Sequence, residues 1–565
     1  MRYNNFSNRD RRVARPGISA TPLMFASRDL LKKEMVLKNI LFVAFFLVTT
    51  PLLAFQSLVF LPFSNESETQ QVYWLGEGFA ESLSEEMLLK DVYVIQRPER
   101  LAAYNALKLP YVGHLSRATM LKIGESLSAD YVVFGSYKLE QNSLKVEARV
   151  IRTTSSKLSA PIQAAGSLDR LYDVQHTLKI GLLQYFTSEK LLSAETKLEP
   201  SSVPLHAYEL YIKGLLESSD QEKVSFFQRA VEAYPEYSQA IYRLGLALFR
   251  LGRYKEANDS LAKITVTGIF RLRTDFLLGL NSFFLRDYQT SVQKWYELSK
   301  TNPTAELYNN IGIALIRRDE LDDALQYLTR AVELDPEHSD FRFNLAACYA
   351  QKEANDEAIR NFREAIDLRP NDYQALYWLG RTLERAGKTE AKQVLAFYLD
   401  RLPGDQKGKF PDLYPTVISA LRASYVYLSK EEKSYAMIAR SKLIKQRNEY
   451  VKTYQGSADK QLHDNHTDQA VQEIRKGLTL APFDSYLNYL WGTALLKQGN
   501  RTAAIPQLEF SLWCTDNIDS HLQLAQIYTD NQQLAEARVH IQQILTLDPK
   551  NKKALDMMEK ISDRE

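Results

Sequence analysis

Cysteine is almost absent: Cys348 and Cys514 are the two in 565 residues. They stand far apart and lack metal-ligand spacing, which excludes a disulfide framework and predicts two buried, unreactive thiols. Neither lies near the apolar run that begins at Met35, so no lipid-modified cysteine is expected there. Net charge is nearly absent too, with 71 Lys and Arg against 69 Asp and Glu. That balance gives no reason to expect nucleic acid as a partner. The motifs of catalysis are also missing. There is no Walker-type phosphate loop, nucleophile elbow or zinc-protease helix. The "GEG" at Gly76–Gly78 lacks the Lys-Thr or the spacing of a phosphate site. "HDNH" (His463, Asp464, Asn465, His466) would set two imidazoles about one turn apart, but in a polar connector, and a solvated loop is favoured over a metal site. The expectation is a non-enzymatic chain with no cofactor, no metal and no catalytic residue.

One long apolar run is present. Residues 1–34 carry eight Lys and Arg against three acids, and Met24 and Met35 are alternative starts to Met1. From Met35, Lys38 precedes "ILFVAFFLVTTPLL", and Leu52 and Ala54 occupy the −3 and −1 positions of a cut before Phe55. That is the build of a secretory signal peptide. Counted on through "SLVFLPF", the run from Ile40 to Phe63 is also long enough to span a membrane. The two readings turn on whether "SLVFLPF" is the first strand of a folded domain. A cleaved signal and a periplasmic or exported location are favoured. A single-pass inner-membrane anchor at residues 35–54 is the alternative. Residues 1–34 are then either a cytoplasmic tail or an extension that is not translated.

Residues 57–190 read as βα–βαα–βββ–α, a small α/β layer domain. Leu75, Phe79, Leu83 and Met87 recur every four residues on one helix face. Pro98 opens a second helix, Ser116 caps a third, and a β-meander turns at "EQNS" and "TTSS". The stretches "LPFSNESETQQVYWLGEGFAESLSEEM", "VIQRPERLAAY" and "IGESLSADYVVFGSY" resemble the TolB amino-terminal-like (FlgO-like) domains of bacterial envelope proteins. The resemblance rests on packing motifs and implies a fold and an envelope setting, not an activity. Gly76 and Gly78 are expected to flank a helix start, Asp130 to cap a turn, and Gly135 to admit a close strand.

Self-similarity with a period near 34 dominates the rest. In 305–338, Tyr308, Ile311, Gly312 and Leu315 lie on a first helix, Ala324, Leu328 and Ala331 on a second, and Pro336 ends it. The unit 339–372 repeats the pattern with Leu345, Ala346, Tyr349, Ala358, Phe362, Ala365 and Pro370. The spacing resembles that of tetratricopeptide repeats, in which small residues let paired helices touch and large ones fill the gaps. The fold class expected is mainly α, a tetratricopeptide α-solenoid of about eight or nine units preceded by the α/β domain. Units run over 204–403 and 451–551, with 552–565 a polar-faced closing helix. Residues 404–450, rich in Gly, Pro and charge at first and basic later, read as a loop and irregular helical linker. The basic stretch "KSYAMIARSKLIKQRNEYVK" reads first as a solvated face, and alternatively as a patch for an acidic partner or a membrane surface.

In such an array the first helices line a concave groove that binds protein segments. The groove positions expected are Glu306, Asn309, Ile313, Asp340, Phe343, Ala347, Gln374, Tyr377 and Arg381. Phe343 and Tyr377 are either ligand anchors or packing residues. The set lacks the Lys/Arg cluster that clamps a C-terminal carboxylate. The function expected is a protein-binding scaffold or adaptor of the bacterial cell envelope, its partner a protein or peptide. An anchored sensory or regulatory protein, associated with the membrane through the N-terminal apolar segment, is the alternative.

Overall fold

The computed structural model describes residues 56–86, 92–111, 114–189, 203–401, 416–425 and 430–562. The proposed signal or anchor at 35–54 and the extension 1–34 lie outside the described residues. Strand β1 (Gln56–Phe60) takes the last part of the apolar run and is buried. Strand β2 (Ser64–Asn65) follows, then α1 (Trp74–Glu86), β3 (Val92–Ile95), α2 (Arg97–Ala106), α3 (Arg117–Ser126), β4 (Tyr131–Glu140), β5 (Ser143–Arg152), β6 (Lys157–Leu158), β7 (Ile162–Ser167) and α4 (Leu171–Ser188). β1 lies between β3 and β4, parallel to both. β4 and β5 form an antiparallel hairpin, and β5 pairs onward with β6 and β7. Successive strand residues face opposite ways. Leu58 and Phe60 therefore join the core under α1 and α4, while Val59 and Leu61 join the core that Tyr104 of α2 and Ile123 of α3 share.

Three residues singled out in the sequence act in packing. Asp130 Oδ2 accepts the Ser57 N–H at 2.8 Å, tying the start of β4 to β1. A side chain at Gly135 would meet the Glu147 carbonyl at 2.3 Å, and one at Gly76 the Phe63 carbonyl at 2.3 Å. Between Gly76 and Gly78, Glu77 is buried and paired with Arg97 and Arg100, and Arg100 Nη1 also donates to the Phe60 carbonyl at 2.7 Å. Burial alone would raise the Glu77 carboxyl; the Arg100 and Arg97 guanidinium groups overcome that and hold it below its ordinary value.

The remaining helices stack as pairs. They are α5 (Leu205–Leu216) with α6 (Asp220–Ala233), α7 (Ser238–Arg250) with α8 (Tyr254–Leu261), and α9 (Ile269–Phe284) with α10 (Tyr288–Thr301). Next come α11 (Ala305–Arg317) with α12 (Leu321–Leu334), α13 (Ser339–Gln351) with α14 (Asn355–Leu368), and α15 (Tyr373–Arg385) with α16 (Ala391–Arg401). Then follow α17 (Lys430–His463) with α18 (Thr467–Leu480), α19 (Ser485–Lys497) with α20 (Arg501–Cys514), and α21 (Ile518–Asp530) with α22 (Leu534–Leu547); α23 (Lys552–Ser562) closes the array. In six of the nine pairs the helices approach closely because the first carries glycine where the second carries a large side chain. A Cβ at Gly245, Gly312 or Gly492 would lie 2.6 Å from Leu261, Leu328 or Leu508, and one at Gly279 would lie 2.3 Å from Trp295. The turn inside eight of the pairs uses one residue with positive φ. Only Gly252, Gly387 and Gly499 are glycine there; Arg286, Asp319, Glu353, Asn465 and Gln532 take the same conformation.

One contact is added to the expected division of the chain, and one expected boundary is corrected. The α/β region and the first repeats share one core, running from Leu58 through Tyr208 and Phe227 to Leu248. Tyr208 Oη donates to the Gly78 carbonyl at 2.5 Å, and Arg243 reaches Glu81 at 3.1 Å. The sheet domain thus covers the open end of the helix stack, which a solenoid needs covered. The corrected boundary lies in α17. The expected break at 450/451 falls inside this continuous 34-residue helix, whose later part pairs with α18. Its basic side chains are not simply a solvated face. Arg440 pairs with buried Asp335 at 2.6 Å, Lys442 donates to Ser128 of the α/β region at 3.0 Å, and Arg447 to the Leu368 carbonyl at 3.3 Å. The two repeat blocks also touch: Arg363 stacks 4.2 Å from the Trp513 ring and donates to the Cys514 carbonyl at 2.8 Å.

Candidate functional site

The concave face of α11, α13 and α15 is occupied by the chain itself. Part of the expected linker, Thr416–Tyr425, lies in it as a short 3₁₀ turn (Val417–Ala420) followed by five residues without helix or strand pairing. Two asparagines read its backbone. Asn344 Nδ2 donates to the Arg422 carbonyl at 2.7 Å, and Asn344 Oδ1 accepts the Arg422 N–H at 2.9 Å. Asn310 does the same two residues on, donating to the Ser424 carbonyl at 2.9 Å and accepting its N–H at 2.8 Å. Asn309 adds a bond to the Arg422 carbonyl at 3.1 Å and receives one from Asn344 at 2.7 Å. All three asparagines are fully buried. A buried amide left unpaired is costly, so this satisfied network specifies an occupied groove.

One side chain of the segment is held as closely. The Arg422 guanidinium lies 3.7 Å from the centroid of the Phe343 ring. It donates to both oxygens of Asp372 at 2.6 and 2.7 Å, to Asp340 at 3.0 Å and to Gln374 at 3.3 Å. A planar fork over an aromatic face with a bidentate carboxylate is a site for arginine rather than lysine. Burial would raise the Asp340 carboxyl; Arg422 and Arg369 outweigh it and hold Asp340 below its ordinary value. Val417 and Ala420 are buried beside Phe343, and the Tyr425 ring lies 6.1 Å from Phe284 at the far end. The segment runs from α15 back toward α9, antiparallel to the order of the repeats.

The predicted groove positions divide. Asn309, Asp340, Phe343 and Gln374 meet the segment directly. Ile313 is buried in the core against which Ile418, Leu421 and Ala423 pack, and Ala347 in the one that includes Val417 and Ala420. Glu306 is buried, and burial pushes its carboxyl up. Tyr377 packs on Trp378 and Tyr398, with ring centroids 5.2 and 5.3 Å away. Arg381 is exposed and pairs with Glu384 on its own helix. Sequence reasoning missed Asn310, Asn344, Asp372 and Arg422. A signal for two of them was readable: Asn310 and Asn344 are 34 residues apart, the same position of successive units.

Among the described residues no three or more His, Cys, Asp or Glu side chains are grouped to hold a metal. His466 contacts Gln461 at 3.1 Å, and Asn465 takes the left-handed turn conformation. Cys348 and Cys514 are free and buried, and burial pushes the Cys348 thiol up to about 12. Among the described residues no helix is long and apolar enough to cross a membrane.

Stacked helix pairs with this glycine spacing and this concave face define a tetratricopeptide-repeat solenoid, here preceded by a small α/β region. Family models described as tetratricopeptide repeat match residues 226–265, 303–371, 361–394 and 518–551. Among curated proteins, the BBSome complex member BBS4 homolog of Drosophila melanogaster is 23% identical over 185 residues, 32% of this chain and 37% of its own length. The DnaJ homolog subfamily C member 7 homolog of Dictyostelium discoideum is 22% identical over 325 residues, 52% of this chain and 58% of its own length. The chain thus spans less than two thirds of either relative. Among solved structures, YrrB, titled a TPR protein with an unusual peptide-binding site, is 20% identical with a TM-score of 0.27, covering 33% of this chain and 98% of YrrB. MamA from Desulfovibrio magneticus RS-1 is 19% identical with a TM-score of 0.27, covering 29% of this chain and 94% of MamA. Tetratricopeptide arrays are protein-interaction scaffolds, and this chain carries such an array.

Proposed function

We propose that the protein is a non-enzymatic scaffold or adaptor of the bacterial cell envelope that holds a partner protein through the groove of α11, α13 and α15. The observation that carries this reading is the asparagine pair. Asn310 and Asn344 each bind both polar groups of one backbone residue, which suits them to any extended polypeptide. The signal-like pattern from Met35 to Ala54 and the resemblance of residues 57–190 to TolB amino-terminal-like domains support an envelope location. Burial of Ser57–Phe60 as a sheet strand supports reading "SLVFLPF" as part of the folded domain, which favours the cleaved signal over the anchor. The test is a photoreactive amino acid at Gln374 in living cells, followed by fractionation. A discrete protein adduct in the periplasmic fraction is expected. A chain confined to the cytoplasm, or one that yields no adduct, counts against the proposal.

A further inference from the structure

The occupant of the groove carries information about its ligand. The asparagine contacts go to backbone and select an extended conformation, not a residue type. Side-chain selection falls on two positions. Arg422 fills a pocket of one ring, two carboxylates and one amide that no lysine or neutral side chain would satisfy. Three residues on, Tyr425 faces Phe249 and Phe284 at centroid distances of 6.2 and 6.1 Å. Its ring is still 55% exposed, so it lies at the rim. Between them, Ser424 is read only through its backbone.

The segment is also a tethered ligand. It sits between α16, which ends at Arg401, and α17, which starts at Lys430, so it meets the groove at an effective concentration on the order of millimolar. A free segment with an intrinsic Kd of ~10 μM would then find the groove open only about 1% of the time, and would bind roughly 100-fold more weakly than to an empty groove.

We propose that this groove recognises an extended polypeptide carrying an arginine three residues before an aromatic residue, and that Thr416–Tyr425 is a resident copy of that ligand which a partner's segment must displace. The inference rests on the groove being the partner site. The arginine pocket sets the specificity, the asparagine pair sets polarity and extension, and the resident segment keeps the groove closed to weak ligands.

The test uses the full-length chain and a labelled peptide of sequence TVISALRASY. Arg422→Ala in the chain weakens the resident segment alone, and is expected to tighten peptide binding by about 100-fold. The same peptide with its arginine replaced by alanine is expected to lose that binding, as is an R422A chain that also carries Asp372→Asn. Hydrogen exchange of amides 416–425 in the unmodified chain should rise when the peptide is added in excess. An R422A chain with unchanged circular dichroism that binds the peptide no better than the parent overturns the proposal; the segment is then a fixed strut. Crosslinking of a partner at Gln374 without any change in exchange of 416–425 also overturns it and leaves the proposed function standing. Peptide binding by R422A with no adduct in cells does the reverse.

Discussion

Two glycine-to-alanine changes should move stability in opposite directions. Gly456 lies on the exposed surface of α17, and a Cβ there meets nothing within 4 Å. Alanine at that position brings only its better helix propensity, worth about 1 kcal/mol. Gly312 in α11 has the same propensity to gain. Its Cβ, however, would lie 2.6 Å from Leu328 Cγ, 2.8 Å from Leu328 Cδ2 and 3.3 Å from the Ala324 carbonyl. Leu328 is fully buried, and the atom met is at its branch point rather than its free end. Relieving such an overlap means parting α11 and α12 or driving Leu328 off its rotamer, at a cost of ~1–3 kcal/mol. Gly312→Ala should therefore be destabilising by about 1 kcal/mol net, and Gly312→Val by about 3 kcal/mol or more. Repeat arrays respond locally, so the assay is hydrogen exchange across α11–α14 with urea unfolding followed by circular dichroism. If Gly312→Ala stabilises as Gly456→Ala does, the close helix contact inferred at Gly312 and its counterparts Gly245, Gly279 and Gly492 is wrong.

Other expectations follow from buried charge and from the block contact. Glu77→Gln leaves Arg100 buried without its carboxylate and should destabilise by ~3–5 kcal/mol, read by urea unfolding. His338 is stacked 3.8 Å from the Phe341 ring, and burial, with Arg440 nearby, pulls its pKa from 6.5 down to about 4. The unfolded chain therefore binds the proton first, so stability contributed by this site rises with pH between about 4 and 6.5. His338→Leu should flatten that slope by on the order of 2–3 kcal/mol across the window, and an unchanged pH profile would count against a neutral, buried imidazole. Arg363→Ala removes the cation over Trp513 and the bond to the Cys514 carbonyl, and should raise hydrogen exchange in α20 by roughly 5- to 100-fold, equivalent to ~1–3 kcal/mol. Equal exchange in the two proteins would mean the blocks are held together elsewhere.

The repeats were legible because packing constrains them at many positions at once. Gly312, Ala324, Leu328 and Ala331 each answer to a contact within 34 residues, and the same contact recurs along the chain. The α/β element order was legible for a similar reason, since each strand and helix declares its period locally. The expected groove face came from helix geometry, and the segment meets four of its positions. Arg381, an exposed position of that face, pairs with Glu384 on its own helix.

What the sequence determined by itself was therefore the local material: helix pairs, strands, the turns between them and the face each first helix presents. Only the tertiary structure decided what fills the groove. Arg422 meets Asp340 across 82 residues and Asn344 across 78. No periodicity reports such a pairing, because a segment that binds as extended backbone carries no repeat of its own. The same holds for α17, whose basic residues looked solvated until Asp335, Ser128 and the Leu368 carbonyl were brought beside them. Short-range packing writes a pattern into sequence; long-range hydrogen bonds and ion pairs appear once the chain has folded back on itself.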